Sequence, residues 1–503
     1  MDRQRANDEI LLSLQYLEQS ILRALHKMPG FLTPSEVLNL RYTLRFASLK
    51  QFGPGAAKGQ EGSRGDVDIA PETLAGLRSV LLNEMAPRMA RAKSPRRRLL
   101  AAARSLPELK PLLLAARQQL LECHVNDFSE QELDDEIAHK KLVLIAGGGG
   151  GAGYVYTGAM ARLQVEGLVP DYIVGSSIGA LQGAFWARDK RPDYQGFFDF
   201  AKTLTPADVF DAPSGVSRYS FPGMLRLHLA GLESELSDAD GNRLQIRDMA
   251  IPYEVVVAGV QASILERMPS FLSGEQTKGR RAHLRSVLAK RAWQLTTLIT
   301  PNLLDEVVLG RDEQTAEFEV LEAAGFSAAI PGVIQFDPRQ RSRHMHHLVA
   351  NLCKQRELMA IVDGGVANNV PAKAAWRGVQ GGKLGSRNAF YLALDCFTPQ
   401  THYKQLLLWP VTQAVQLQMP ANRAYFDWLQ QFKPTLSPAN LLPNPTDFDL
   451  SWAWGWEQMS AALPVIKKSL EPLDLAALHQ PTKARRESGK SSVLPFNFAS
   501  STT

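Results

Sequence analysis

Between Lys141 and Ala187 the chain reads KLVLIAGGGGGAGYVYTGAMARLQVEGLVPDYIVGSSIGALQGAFWA. Leu142-Val143-Leu144-Ile145 is a short apolar run that reads as a buried strand. The glycine run Gly147 to Gly151 follows, then Ala152 and Gly153, and the spacing from Tyr154 to Gly167 predicts a helix. Tyr172-Ile173-Val174 is a second strand leading into Gly175-Ser176-Ser177-Ile178-Gly179, and Ala180 to Ala187 is again helical. Strand, glycine loop, helix, strand, G-x-S-x-G, helix is an α/β pattern with a parallel sheet.

The chemistry sits in the two loops. In G-x-S-x-G the serine occupies a tight strand-to-helix turn, and Gly175 and Gly179 permit the cramped backbone around Ser177. The helix N-terminus that follows favours developing negative charge. The loop Gly148, Gly149, Gly150 and Gly151 can bring backbone N–H groups close to an oxyanion. Gly148, Gly150 and Gly153 also fit G-x-G-x-x-G, the dinucleotide fingerprint. That reading needs a carboxylate at the end of the second strand, where this chain has Gly175-Ser176-Ser177. Far downstream, Asp363 ends the apolar run Met359-Ala360-Ile361-Val362 and precedes Gly364-Gly365. A carboxylate at a strand end lies where open α/β sheets bind ligands, although turn aspartates are common.

Around this centre, residues 1–138 read as an all-helical region, with Ile10, Leu14, Leu17, Ile21 and Leu25 on one face of a first helix. Gly53 to Asp68 reads as a flexible linker, and Glu72 to Ala90 and Pro111 to Cys123 as helices on either side of a basic breaker, Lys93 to Arg98. Tyr253–Val260, Phe318–Leu321, Leu358–Val362 and Ala389–Leu394 read as strands, and Leu265–Leu309 and residues 401–480 as largely helical. His344, His346 and His347 read as part of a solvated loop, and residues 481–503 as a polar disordered tail. Hydrophobic residues make up 45% and charged residues 21% of the 503, an ordinary soluble composition. The net charge of +5 favours an anionic partner such as a phospholipid surface or nucleic acid but is too small and dispersed to identify either; no nucleic-acid partner is expected. The three cysteines form no CxxC pair, which argues against a disulfide framework or zinc site and fits a reducing, cytoplasmic setting. No signal-peptide core opens the chain and no apolar run is long enough to span a bilayer, so membrane contact is expected to be peripheral. Lys278, Arg280, Arg281, Arg285, Lys290 and Arg291, interleaved with Leu284, Val287 and Leu288, suit an anionic membrane surface and equally a solvated basic helix.

The blocks Gly148–Gly153, Gly175–Gly179 and Asp363-Gly364-Gly365 resemble, in this order, those of the patatin-like phospholipase family. Ser327-Ala328-Ala329-Ile330-Pro331-Gly332 is similar to the family's block between serine and aspartate. The resemblance implies a three-layer hydrolase domain with a mostly parallel central sheet over residues 139–480, behind the helical N-terminal region. It implies a Ser/Asp dyad without histidine or cofactor, in which Ser177 attacks a lipid acyl ester and Asp363 takes its proton. Ala152 stands where the family usually has Arg or Lys. A triad esterase using His402, a nucleotide-binding oxidoreductase using the glycine loop, and a silent scaffold are the alternatives.

Overall fold

The computed structural model describes residues 2–56, 63–213, 217–262, 304–340, 342–397 and 418–477. His402, the basic segment Lys278–Arg291 and the tail from 481 to 503 lie outside the described residues.

The helical region is built from α1 (Asp2–Lys27), α2 (Pro34–Ala47), α3 (Pro95–Cys123) and α4 (Glu130–Ala138). Leu14, Leu17, Ile21 and Leu25 of α1 are buried in a core shared with Leu40 and Leu44 of α2 and Leu109 and Leu120 of α3. Capping boxes at Thr33/Glu36 and Ser129/Glu132 fix the starts of α2 and α4 by satisfying amides that have no partner within the helix. Two expectations hold only in part here. Lys93 and Ser94 do separate a helix ending at Arg91 from α3, but Ser94 accepts from the Arg97 amide and Pro95 follows, so Arg96–Arg98 belong to the first turn of α3 and the helix expected from Pro111 starts at Pro95. The Gly53–Asp68 segment is not simply a linker, because Gln51–Phe52 pairs antiparallel with Val67–Asp68 and Gly55–Ala56 with Ser63–Arg64.

The sheet consists of β1 (Lys141–Ala146), β2 (Tyr172–Ser176), β3 (Tyr253–Gln261), β4 (Leu304–Leu309), β5 (Leu358–Val362), β6 (Ala389–Asp395) and β7 (Trp428–Gln431). Its order is β4-β3-β2-β1-β6-β7. The pairs from β3 to β7 along this order are parallel, whereas β4 and β5 run antiparallel to β3. Residues 265–309 were expected to be helical; Leu304–Leu309 is instead a strand, whose Val307 and Leu309 are buried while Glu306 is exposed. Trp428–Gln431 likewise extends the sheet inside the stretch expected to be helical.

The described α-helices of five residues or more in this part are α5 (Val155–Val165), α6 (Ile178–Ala187), α7 (Tyr194–Thr203), α8 (Val320–Ser327), α9 (Arg343–Gln355), α10 (Gly364–Asn368), α11 (Ala372–Gln380) and α12 (Pro445–Leu470). Alternate β1 side chains divide them. Leu142 and Leu144 pack in one core with α5, α6, α8, α9 and α12, while Val143 and Ile145 pack with Ala375, Trp376 and Val379 of α11. The result is a three-layer α/β fold with a mostly parallel central sheet. The expected strand Phe318–Leu321 gives way to α8, because Leu-Glu-Ala-Ala favours helix and every face of the segment is buried. The histidines 344, 346 and 347 lie on α9, capped by Ser342, rather than on a loop. Trp452, Trp454 and Trp456 pack on the main core from α12, with Trp452 against Phe198 at 4.6 Å.

A buried charge cluster joins the helical region to the sheet region. Glu18 of α1 accepts from Arg45 at 2.9 Å and Lys140 at 2.8 Å, with Arg41 at 3.4 Å. Burial alone would raise the Glu18 carboxyl, but Arg45, Lys140 and Arg41 hold it well below the usual range. Arg45 also donates to Ala138 O at the end of α4 and Ser469 O at the end of α12. Removing Glu18 alone, as in Glu18→Gln, leaves these cations uncompensated and is expected to cost about 3–5 kcal/mol in denaturant unfolding. A variant as stable as the native chain would show that the cluster is not a joint.

Candidate active site

Ser177 lies between β2 and α6 with φ 53° and ψ −125°, a left-handed backbone unusual for a side chain larger than hydrogen. The strain is held from two sides. The Ser177 amide donates to Ser327 Oγ at 2.8 Å, and Ser327 Oγ donates to Val256 O of β3 at 2.6 Å. Gly179 packs its Cα against Ala146 O, where a Cβ would collide with backbone. The hydroxyl is thereby aimed at Asp363, with Ser177 Oγ donating to Asp363 Oδ2 at 2.6 Å.

Asp363 follows β5 and its other oxygen accepts from the Gly365 amide at 2.7 Å. Its own amide donates to Ala329 O, so the end of α8 and the residues just after it support both Ser177 and Asp363. Ser177 and Asp363 are each 5% exposed. Burial pushes the Asp363 carboxyl up to about 7, against the hydrogen bonds from Ser177 and the Gly365 amide, which lower it. Among the described residues no histidine hydrogen-bonds to either side chain.

The glycine loop divides into two kinds of donor. Gly148 donates to Asn369 O at 3.0 Å and Gly151 to Pro438 O at 3.1 Å. Those two amides, expected as oxyanion donors, are therefore already engaged in holding the loop. Gly149 and Gly150 have no acceptor among the described residues. Gly150 has φ +54°, and a Cβ there would collide with Pro438 O, so the loop needs glycine at this point. Gly149 rests against Cys396 Sγ with no room for a side chain. Ala152 is fully buried in the main core, so the loop carries no cation at that position.

From Ser177 and Gly150 an apolar cleft opens, walled by Leu181 and Phe185 of α6, Leu204, Leu229 and Leu441 among others. A serine hydroxyl bonded to a buried carboxylate, amides without an acceptor and an apolar cleft are a set of groups that can bind an acyl chain and stabilise a tetrahedral oxyanion. Residues 144–376 match the sequence model of the patatin-like phospholipase family. These residues form a patatin-like phospholipase domain. No curated protein matches the chain. The matched patatin-like stretch holds the glycine loop, Ser177, Ser327 and Asp363, but ends before Pro438 and Leu441. Sequence reasoning missed the part played by Ser327; its signal was the Ser327–Gly332 block, which resembled the family without revealing a role. Among the described residues no group of side chains is placed to hold a metal, and no described helix is long and apolar enough to cross a membrane.

Two outcomes follow from this geometry. Gly149→Val, which pushes the loop off Cys396, is expected to lower ester turnover by about 10²–10³ with circular dichroism unchanged, the usual cost of one oxyanion donor. Full turnover in a folded Gly149→Val chain would remove Gly149 from the site. Asp363 accepts a proton only when ionised, so kcat/KM is expected to rise with pH through about 7 and level off above it. A profile already flat from about pH 5 upward would mean that another group is the base.

Proposed function

We propose that the protein is a serine lipid acyl hydrolase of the phospholipase A or lysophospholipase kind, working through a Ser177/Asp363 dyad. The observation that carries this reading is the 2.6 Å hydrogen bond from Ser177 Oγ to Asp363 Oδ2 at the base of the apolar cleft. Ser177 Oγ attacks the ester carbonyl carbon as its proton passes to Asp363. The Gly149 and Gly150 amides face the oxyanion. Collapse expels the alcohol, which takes the proton from Asp363 and leaves an acyl-serine. Water then attacks the acyl carbon, gives its proton to Asp363 and releases the fatty acid as the proton returns to Ser177. No step needs a metal or an organic cofactor. The cleft favours an acyl chain over a nucleotide, and β2 ends in Ser176 without the carboxylate that a ribose would need. The region 1–138 is read as a regulatory or partner-binding unit, and a peripheral membrane surface as the place where lipid is met.

Hydrolysis of a panel of phospholipids, lysophospholipids and acylglycerols tests the proposal. Ser177→Ala is expected to abolish turnover and Asp363→Asn to come close to it, with the double variant little worse than either because the two act as one unit. Substantial activity in folded Asp363→Asn, together with a dead His402→Ala, would replace the dyad by a triad.

A further inference from the structure

The turn after Asp363 is bound by a side chain from outside the matched stretch. The first residues described after 397 begin at Gln418, and its side chain reaches the turn that follows Asp363. Gln418 Nε2 donates to Val366 O at 2.5 Å and Gly365 O at 3.3 Å, while its Oε1 accepts from the Asn369 amide at 2.8 Å. The amide group thus meets two carbonyls and an amide toward the C-terminal end of α10, whose single turn would otherwise leave these backbone groups without partners. Asn369 in turn grips the glycine loop, its carbonyl accepting from the Gly148 amide at 3.0 Å and its Nδ2 donating to Gly148 O at 3.4 Å. One residue further on is Gly149, whose free amide faces the reacting carbonyl. Gln418 is itself anchored, since Asn422 Nδ2 donates to Gln418 O at 3.3 Å and to Asn368 Oδ1 at 2.7 Å.

We propose that Gln418 is a positioning residue for the reaction: it sets the Asp363 turn and, through Asn369, the glycine loop, so that proton acceptor and oxyanion donors are held in one register. This rests on the hydrolase reading above. The geometry argues for it because Gln418 touches neither Ser177 nor the cleft, yet binds the backbone directly after one reacting group and the residue that clamps the loop holding the other. A side chain of the same reach without hydrogen bonds should leave substrate binding in the apolar cleft intact and disturb only the chemical step.

The test uses the full chain carrying Gln418→Met, and separately Gln418→Glu, which keeps the acceptor for Asn369 but loses the donor to Gly365 and Val366. Measured are kcat and KM on a nitrophenyl ester of a fatty acid, the rate at which a fluorophosphonate labels Ser177, and the melting temperature. The expected result is a fall in kcat and labelling rate of about tenfold to a hundredfold, as for small misplacements of reacting groups, with KM nearly unchanged and the fold retained. Native kcat in either folded variant overturns the inference, as does a loss confined to KM. Unfolding of both variants also overturns it, by making Gln418 a residue of the fold alone. If the native chain neither turns over the ester nor takes the label at Ser177, the hydrolase reading fails. Native turnover with undiminished Gln418→Met turnover fails the Gln418 inference by itself.

Discussion

Two strands share one edge of β3, and the site depends on this. β4 covers the other edge through Val260, so β2, opposite residues 253–256, and β5, opposite 258–261, must lie on the same side. They run in opposite directions and meet end to end: Ser176 stands opposite Val256 and Val362 opposite Ala258. Two residues of strand separate the ends, about 7 Å at the usual rise. The residues that continue them, Ser177 and Asp363, therefore converge although 186 positions apart. Where the ladder breaks, Val256 O is met by the Ser327 hydroxyl, which also receives the Ser177 amide. The break is thus filled by the group that holds the strained backbone of Ser177.

Much of this was legible in the sequence, for identifiable reasons. β1, β2, β3, β5 and β6 are apolar runs bounded by glycine or polar turns, and each is buried in the sheet, so composition and location agree. Ser177 and Asp363 could be named because they end such runs next to glycines. What failed was position-dependent. Leu304–Leu309 follows a long helical pattern and becomes a strand because β3 offers an open edge, a fact of tertiary pairing. Val320–Ser327 is short and apolar all round, where periodicity cannot tell strand from helix. The glycine loop named four candidate donors, but which amides remain free depends on Asn369 and Pro438, which lie far away in the chain. Gln418 gave no signal, being one glutamine in a stretch without a motif.

The segments outside the matched domain are tied into it at the back and at the site. At the back, Arg41 and Arg45 hold the carbonyl ends of α4 and α12 while Glu18 balances them with Lys140. At the front, Pro438 O holds Gly151, and Leu441 O accepts from Tyr154 while its side chain lines the cleft. Helix α12 links the two ends. Asn444 caps its start near this wall, and its last turn lies in the grip of Arg41 and Arg45. The helical region is therefore connected to the wall of the cleft beside Ser177 through one helix of 26 residues, which spans about 39 Å at the helical rise.

The proposed dyad makes a demand that a triad does not. With histidine as proton carrier, the aspartate may stay a strong acid; without it, the carboxylate itself must be basic enough to take a serine proton near neutral pH. An exposed aspartate, near 3.9, is about three units too acidic. In this protein the correction comes from packing: Val362 and Val366, on either side of Asp363 in sequence, are buried in a small apolar cluster with Phe221 and Ala258. The hydrogen bonds that orient the carboxylate oppose that correction, since each stabilises the charged form. Orientation is therefore limited to the Gly365 amide and the Ser177 hydroxyl, and the remaining polar groups of the turn are satisfied elsewhere, by Ala329 O and Gln418. A turn that brought more donors to the carboxylate would hold it more firmly and make it a poorer base. The arrangement around Asp363 reads as a balance between those two requirements, with rigidity supplied from its backbone and basicity from its burial.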